Sequence, residues 1–193
     1  MTRLTRSVLA VVLATGAVAL PGAAAQAAPT ACDANSQWIN SWSSKTTSNV
    51  ITHASGVVIA KGSTATRTES ASEQTTLTAG VSFSTTAKVG VSLPIAELGA
   101  EVGTTLSASG SKTSTSAVSV ATTFTNSGTY IVFRGYRSAT GYFSGGKCSS
   151  NGQTITKVSG RAYSYSKVPY SGAVWCKETG VTGFKAAAKK FCD

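Results

Sequence analysis

The stretch that most restricts how this chain can fold is residues 81–108, where apolar side chains recur at every second position and then change phase. They occupy odd positions from Val81 onwards and even positions from Leu98 onwards. Successive side chains of a β-strand point to opposite faces, so each half predicts a strand with one apolar and one polar face. The phase change predicts a reversal at residues 94–97, which places the apolar side chains of both arms on one face.

Both arms of this predicted hairpin, residues 81–93 and 98–108, are long for a soluble protein. They reach the roughly 9–11 residues that a tilted membrane-spanning strand needs, whereas ordinary strands have about 5–6. The polar face consists mainly of Ser, Thr and Gly, with Lys88 and Glu101 as diagonal neighbours. Such a face suits the water-filled lumen of a pore. The alternative is a half-buried hairpin in a soluble sandwich.

Residues 1–27 are predicted to be a signal peptide and not part of the fold. Arg3 and Arg6 precede an apolar run over residues 7–20, and the Ala-Gln-Ala sequence at residues 25–27 matches the small-x-small cleavage rule. No other apolar run approaches the about 18 residues of a membrane helix. We therefore expect a secreted, extracellular protein, which reaches a target membrane only on insertion.

Four cysteines follow the predicted cleavage site, namely Cys32, Cys148, Cys176 and Cys192. An even number in an oxidising compartment predicts disulfides, and four cysteines allow three pairings. We expect Cys148 to pair with Cys176, which leaves Cys32 for Cys192. A zinc site is the alternative, but the sequence has no CxxC pair and a single histidine, His53.

The excess of positive charge lies in the last third of the chain. Residues 28–128 carry five basic and five acidic side chains, whereas residues 129–193 carry ten basic and two acidic ones, a net charge of +8. A basic surface on a secreted protein favours an anionic lipid, envelope polymer or glycan as partner. No recognised nucleic-acid motif is present. Charge that serves solubility alone is the alternative. The candidate surface-binding residues are Arg134, Arg137, Lys185, Lys189 and Lys190.

The rest of the chain reads as further strands and one helix. Residues 62–78 and 109–127 are rich in Ser and Thr at alternate positions, which predicts long polar strands, with disorder as the alternative. Residues 129–133 (TYIVF) predict a core strand. The remaining local signals are a turn at Ser55-Gly56 between two strands, a hairpin turn at Asn151-Gly152, and a short amphipathic helix near 182–191 with Thr182 as its cap.

The sequence contains no recognisable catalytic set. His53 has no identifiable carboxylate or nucleophile beside it, and the glutamates spaced by four residues lie in strand-like context. No phosphate-binding glycine loop of the usual pattern is present. We expect a protein that is not an enzyme and uses no cofactor.

Residues 57–133 resemble the aerolysin-like β-pore-forming proteins, in particular the epsilon-toxin/mosquitocidal-toxin branch. The resemblance is carried by the strand TATRTESASEQTTLTAG, by the alternating stretch with its Leu-Pro-Ile tip, and by the returning strand SKTSTSAVSVATTFTNSGTYIVF. It implies an elongated all-β sandwich with long Ser/Thr-rich strands and an amphipathic insertion hairpin, to which the short C-terminal helix indicated by the spacing of residues 182–191 is added. The chain departs from the family in lacking a large receptor-binding domain.

The resemblance also implies a function and a division of the chain. The expected protein is a secreted, toxin-like pore-former that oligomerises on a membrane, through a lipid or glycan receptor, and inserts a hairpin to form a transmembrane β-barrel. A secreted β-sandwich that binds envelope polymers or glycans, or acts as an inhibitor, is the alternative. The expected regions are an N-terminal segment (28–56), a pore-forming region (57–133) and a basic disulfide-bearing module (134–193).

By the same resemblance, the predicted hairpin supplies the membrane-inserting residues. Lys88 and Glu101 would line the lumen. The insertion residues would be Val81, Phe83, Val89, Val91, Leu93, Pro94, Ile95, Leu98, Val102 and Leu106.

Overall fold

The structure, a computed structural model, describes residues 31–192, and the predicted signal peptide lies outside the described residues. Its secondary structure confirms an all-β fold with a short C-terminal helix. In chain order the elements are β1 (Gln37–Ile59), β2 (Ala65–Glu73), β3 (Gly80–Phe83), α1 (Ser92–Glu101), β4 (Val118–Phe124), β5 (Gly128–Cys148), β6 (Ile155–Tyr165), β7 (Tyr170–Trp175) and α2 (Gly183–Lys189).

The strands are antiparallel and follow the order β3-β6-β5-β1-β2-β4, with β7 paired to the first part of β5. The pair β1–β5 forms the axis of the sheet, because the two strands stay paired from Ile59 opposite Gly128 to Gln37 opposite Lys147. At about 3.4 Å per residue this ladder is roughly 65 Å long. The fold is therefore built on one long two-stranded ribbon to which the other elements are added.

The predicted core strand at 129–133 lies in the buried part of β5, as expected. The predicted turn at Ser55-Gly56 is wrong, because Ser55 lies opposite Val132 and Gly56 opposite Ile131 within the continuous strand β1. The partner strand supplies hydrogen bonds throughout, so β1 has no need to reverse there. The expected regional boundaries at 56/57 and 133/134 consequently fall inside the uninterrupted strands β1 and β5.

Elements pack on both faces of this ribbon and enclose three apolar clusters. Near the start of β5, Tyr130 and Val132 face β2 and β4, while Ile131 and Phe133 face α2. Toward its end, Phe143 belongs to the cluster under α1. Side chains alternate between the two faces of a strand, and β5 contributes odd-numbered residues to both helix-covered clusters. Helices α1 and α2 therefore lie on one face of the sheet, and the pair β2–β4 lies on the other.

The local signals for the last third of the chain are confirmed. β5 and β6 form an antiparallel hairpin whose connection contains Asn151-Gly152, with Cys148 opposite Ile155. Helix α2 has Thr182 at its N-cap position, although the Thr182 side chain makes no capping hydrogen bond. α2 buries Ala188 completely against the sheet.

The predicted disulfide pairing is wrong: Cys32 is bonded to Cys148 and Cys176 to Cys192. The backbone N–H of Cys176 bonds to the carbonyl of Thr129, at the start of β5, whereas Cys148 is the last residue of that strand. The rise of an extended strand separates these two positions by roughly 60 Å. Each cysteine therefore pairs with the one at its own end of the ribbon, and β-sheet topology decides the choice.

We expect the variant Cys176→Ser/Cys192→Ser to lose about 3 kcal/mol in free energy of unfolding, because this bridge closes a loop of 16 residues and fastens α2 to the end of β7. Denaturant unfolding of the variant and the unmodified protein measures the loss. Peptide mapping without reduction checks the pairing itself, and a Cys148–Cys176 peptide would contradict it.

Candidate functional site

Residues 74–117, which we call the insert, connect β2 to β4 and contain the whole stretch that was predicted to form a hairpin. The strands β2 and β4 are in continuous antiparallel register up to Ala71, which lies opposite Val118. Beyond them the two segments stay adjacent as far as Thr78, which lies opposite Lys112, one residue out of the β2–β4 register. The insert therefore leaves and re-enters the fold at the base of one antiparallel pair.

The first part of the insert adds an edge strand to the sheet. β3 pairs with β6, and Val81 lies directly opposite Ala162. Only four residues take part in this strand, and beyond Phe83 the chain bends away from the sheet. The predicted first arm, 81–93, is therefore wrong beyond Phe83.

The predicted tip and part of the second arm form helix α1, so the predicted hairpin is absent from this structure. Ile95, Leu98 and Val102 are spaced by three and four residues, which also collects them on one face of a helix. Pro94 lies in the first turn of α1, where its missing N–H is not needed. The residues satisfy both periodicities, and packing against the sheet selects the helix.

Helix α1 packs closely over β1 and β5 through Leu98, which is completely buried. A Cβ atom at Gly141 would lie 2.8 Å from the Trp42 ring and 3.2 Å from Leu98, so a glycine is required where helix, indole and sheet meet. The Trp42 ring packs at 5.7 Å from that of Phe143, and its indole N–H is buried without a hydrogen-bond partner. An unpaired buried N–H of this kind costs about 1–3 kcal/mol.

Few polar contacts fasten α1 and its approach to the rest of the molecule. Glu101 forms an ion pair with Lys45, not with its predicted neighbour Lys88, and both partners are about two-fifths exposed (39% and 40%). The backbone N–H of Gly90 donates to Gln37 Oε1 at 2.7 Å. The outer side of α1 borders an open groove of about 890 Å³. Helix α1 is therefore held mainly by one apolar face.

The predicted insertion residues fall into three groups in this structure. Val91 is 48% exposed. The buried residues are Val89, Pro94, Ile95, Leu98 and Leu106, and the partly buried ones are Val81, Phe83, Leu93 and Val102. The predicted lumen residue Lys88 is exposed. The structure thus brings most of these apolar side chains together against the sheet, which covers the face that a pore would present to lipid.

Sequence reasoning missed His53 as a residue that positions the insert. Its imidazole is fully buried; Nε2–H donates to the carbonyl of Ser116 at 3.0 Å, and Nδ1 lies 3.0 Å from Thr52 Oγ1. His53 thereby ties the returning end of the insert to β1. Nothing in the local sequence signals this role, since Ser116 lies 63 positions away.

The predicted surface-binding residues do not form one uniform basic patch. Arg137 and Lys190 are exposed, but Arg134 Nε donates to Ser171 Oγ at 3.3 Å. On α2, Lys185 pairs with the Glu178 carboxylate at 2.8 Å, and Lys189 donates to the Glu178 carbonyl. The hydrogen bond from Lys185 and its positive charge lower the pKa of Glu178 below its ordinary value. Lys185 and Lys189 therefore help to dock α2.

Within residues 31–192, no cluster of histidine, cysteine, aspartate or glutamate side chains has the composition of a metal site. None of the helices in the described part of the chain is long and apolar enough to cross a membrane.

Comparisons with protein-family models, with curated proteins and with solved structures found no match.

Proposed function

We propose that this protein is a secreted pore-former that oligomerises on a membrane and inserts residues 81–108 as a β-hairpin. The observation that carries the proposal is the register of β2 and β4, in which Ala71 lies opposite Val118. Once insertion removes the one-residue offset at Thr78 and Lys112, this register continues to a two-residue reversal at Pro94-Ile95. The turn position therefore coincides with the predicted Leu-Pro-Ile tip.

The same continuation pairs apolar residues with apolar residues. Val81 comes to lie opposite Ala108, Phe83 opposite Leu106, and Val89 opposite Ala100. These pairs differ by two residues from those predicted from the sequence, and a shift of two residues keeps every side chain on its face. The apolar face of such a hairpin is therefore the same in both registers.

The apolar face of the extended hairpin would continue the buried face of the paired strands β2 and β4. In β2 and β4 the buried side chains are those of Ala71, Val120 and Phe124. Ala71, in the strand before the insert, is odd-numbered, as are the apolar residues of the first predicted arm. Val120 and Phe124, in the strand after the insert, are even-numbered, as are the apolar residues of the second arm. The pair β2–β4 thus has the register that an extended hairpin requires, and its buried side chains are on the same face as the apolar side chains of the two arms.

The soluble arrangement of the insert depends on packing more than on local helix stability. Helix α1 has ten residues, no side-chain cap on its first turn, no acidic residue there and no basic residue in its last turn. Isolated helices shorter than about 12–15 residues are marginal in water. Once α1 leaves the sheet, the packing that stabilises the helix is lost, and the alternating pattern of apolar residues favours a strand.

Release of the insert requires β3 to leave β6 and the backbone hydrogen bonds of Thr105 and Ser107 to break, whereas the side-chain contacts of α1 are few. The ion pair between Lys45 and Glu101 is solvent-exposed, and such pairs contribute about 0–1 kcal/mol. The apolar cluster beneath α1 is the main restraint. A membrane compensates for its loss, because the same apolar side chains would meet lipid while Lys88 and Glu101 face water.

The direct test is leakage of a trapped dye from liposomes, together with electrophoresis in SDS to detect oligomers. We expect the mature protein to release dye from a receptive lipid composition and to form large SDS-resistant species in the same samples. Absence of both across neutral, anionic and glycolipid-containing vesicles would leave a soluble binding protein whose insert never unfolds as the better interpretation.

A further inference from the structure

One face of the sheet is open to solvent at the end that carries α1. We call this the open face: it is the side of β1, β5, β6 and β3 opposite α1. Ser43, Tyr142, Arg161 and Ser82 form a row across these four strands, each directly opposite the next, and all four are exposed. Directly opposite residues share a face.

Two aromatic–basic pairs stand on the open face. In the first, the Arg161 guanidinium lies 5.7 Å from the centre of the Tyr142 ring, and Tyr142 is 48% exposed. In the second, Trp38 on β1 and Lys157 on β6 lie on either side of Gly146 of β5, so these two side chains share a row across three strands rather than a ring–cation contact. A side chain at residue 146 would clash with the Trp38 ring, which lies over the sheet there. The pairs are four residues apart along β5, roughly 13 Å.

Hydroxyl groups fill the space between the two pairs. Ser41, Ser144 and Ser159 form the intervening row, and the hydroxyls of Ser41 and Ser144 lie 2.8 Å apart. Beyond the first pair, Arg161 and Tyr163 line a recess of about 310 Å³. The open face therefore presents rings, hydroxyl groups and cations along one line.

The charge of the open face is of one sign. None of the strand residues that share this face in the described part of the chain is acidic. Among residues 31–192, the ion pairs are formed by Lys45, Arg67 and Lys185, so neither Lys157 nor Arg161 is neutralised by a carboxylate. Unpaired cations on an open surface favour an anionic ligand.

We propose that the open face binds an acidic polysaccharide, with the two rings stacking on sugar rings, the serines bonding sugar hydroxyls, and Lys157 and Arg161 pairing with carboxylate or sulfate groups. Guanidinium groups suit planar carboxylates. A lipid surface is a poorer fit, because the face is rich in hydroxyls and, apart from the rings, its one large exposed apolar side chain among the described residues of β6 is Ile155, at the end of that strand. Apart from Ser82 on β3, the residues proposed to bind the polysaccharide lie on strands outside the insert, and their use does not require a pore.

The test measures binding of the intact protein to polygalacturonate, with dextran as the neutral polymer, by isothermal titration at low and high salt. We expect Lys157→Gln/Arg161→Gln to weaken binding by about tenfold or more and to reduce its salt dependence. Tyr142→Ala should weaken binding without changing the salt dependence. The matched control Lys61→Gln/Lys177→Gln removes two exposed lysines away from the open face and should leave the affinity within about twofold.

Three results would overturn the proposal. The first is no binding of polygalacturonate by the unmodified protein, or equal binding of dextran. The second is an equal loss of affinity in the control variant. The third is tighter binding of poly(dT) or of phosphatidylglycerol vesicles than of polygalacturonate, lost in the Lys157→Gln/Arg161→Gln variant, which would assign the surface to nucleic acid or lipid.

Discussion

The oxidised variant Val81→Cys/Ala162→Cys will release no dye from liposomes, and mild reduction will restore release to the level of the unmodified protein. Val81 and Ala162 lie directly opposite each other in β3 and β6. Paired positions of an antiparallel sheet have Cα atoms about 4.5–5.5 Å apart, within the range of a disulfide. A bond at this position prevents β3 from leaving the sheet, and hairpin formation requires that departure.

Two controls distinguish the effect of the disulfide between positions 81 and 162 from general effects of oxidation and reduction. Lys147→Cys/Thr156→Cys places a bond between β5 and β6, which are directly paired there and stay together in both states. That variant should release dye whether oxidised or reduced. The unmodified protein receives the same reductant, since its own two disulfides respond to it as well. Dye release by the oxidised Val81→Cys/Ala162→Cys variant would contradict the proposed departure of β3.

The parts of the fold that the sequence predicts well depend on neighbours in the chain. The hairpin at Asn151-Gly152 needs only a turn-forming pair between two strand-like runs. The helix after Thr182 needs only apolar spacing and a cap residue. The core strand at 129–133 is a short run of β-branched and aromatic residues. Each signal lies within about a dozen residues, so long-range packing has little chance to reverse it.

The parts that the sequence cannot predict depend on positions far apart in the chain. Residues 94–102 carry apolar side chains that suit a strand and a helix equally, and the decision comes from Trp42 and Gly141 on the distant strands β1 and β5. The disulfides depend on which end of β5 each cysteine approaches. The helix at residues 94–102 and the disulfide pairing both follow from the pairing of β1 with β5. No local sequence pattern predicts that pairing.

The candidate site shows the same division. The alternation that marks residues 81–108 as amphipathic is local and is present in the sequence. The tie between His53 and Ser116, and the docking of Lys185 and Lys189 onto Glu178, arise only when the chain is folded. For the basic residues the sequence therefore supplies the charge, while the fold decides which charges remain available to a partner.

The second large effect is expected from a charge placed on either face of the proposed hairpin. Ala100 is exposed on α1, and Thr86 is exposed in the loop before it, so a lysine at either position should leave the soluble fold intact. In the continued β2–β4 register, Ala100 lies opposite Val89 on the lipid face, whereas Thr86 lies on the lumen face with Lys88. A lysine on the lipid face near the bilayer midplane costs about 2–4 kcal/mol per subunit.

We therefore expect Ala100→Lys to bind membranes like the unmodified protein but to lose at least about thirtyfold in pore formation, since about 1.4 kcal/mol corresponds to a factor of ten. Thr86→Lys should conduct, with selectivity shifted toward anions by the added lumen charge. Thermal melts of both variants come first, followed by dye release and single-channel recording. Equal loss in the two variants, or full conductance in Ala100→Lys, would contradict the assignment of faces. A hairpin in either register places Ala100 in lipid and Thr86 in water, because a shift of two residues keeps every side chain on its face.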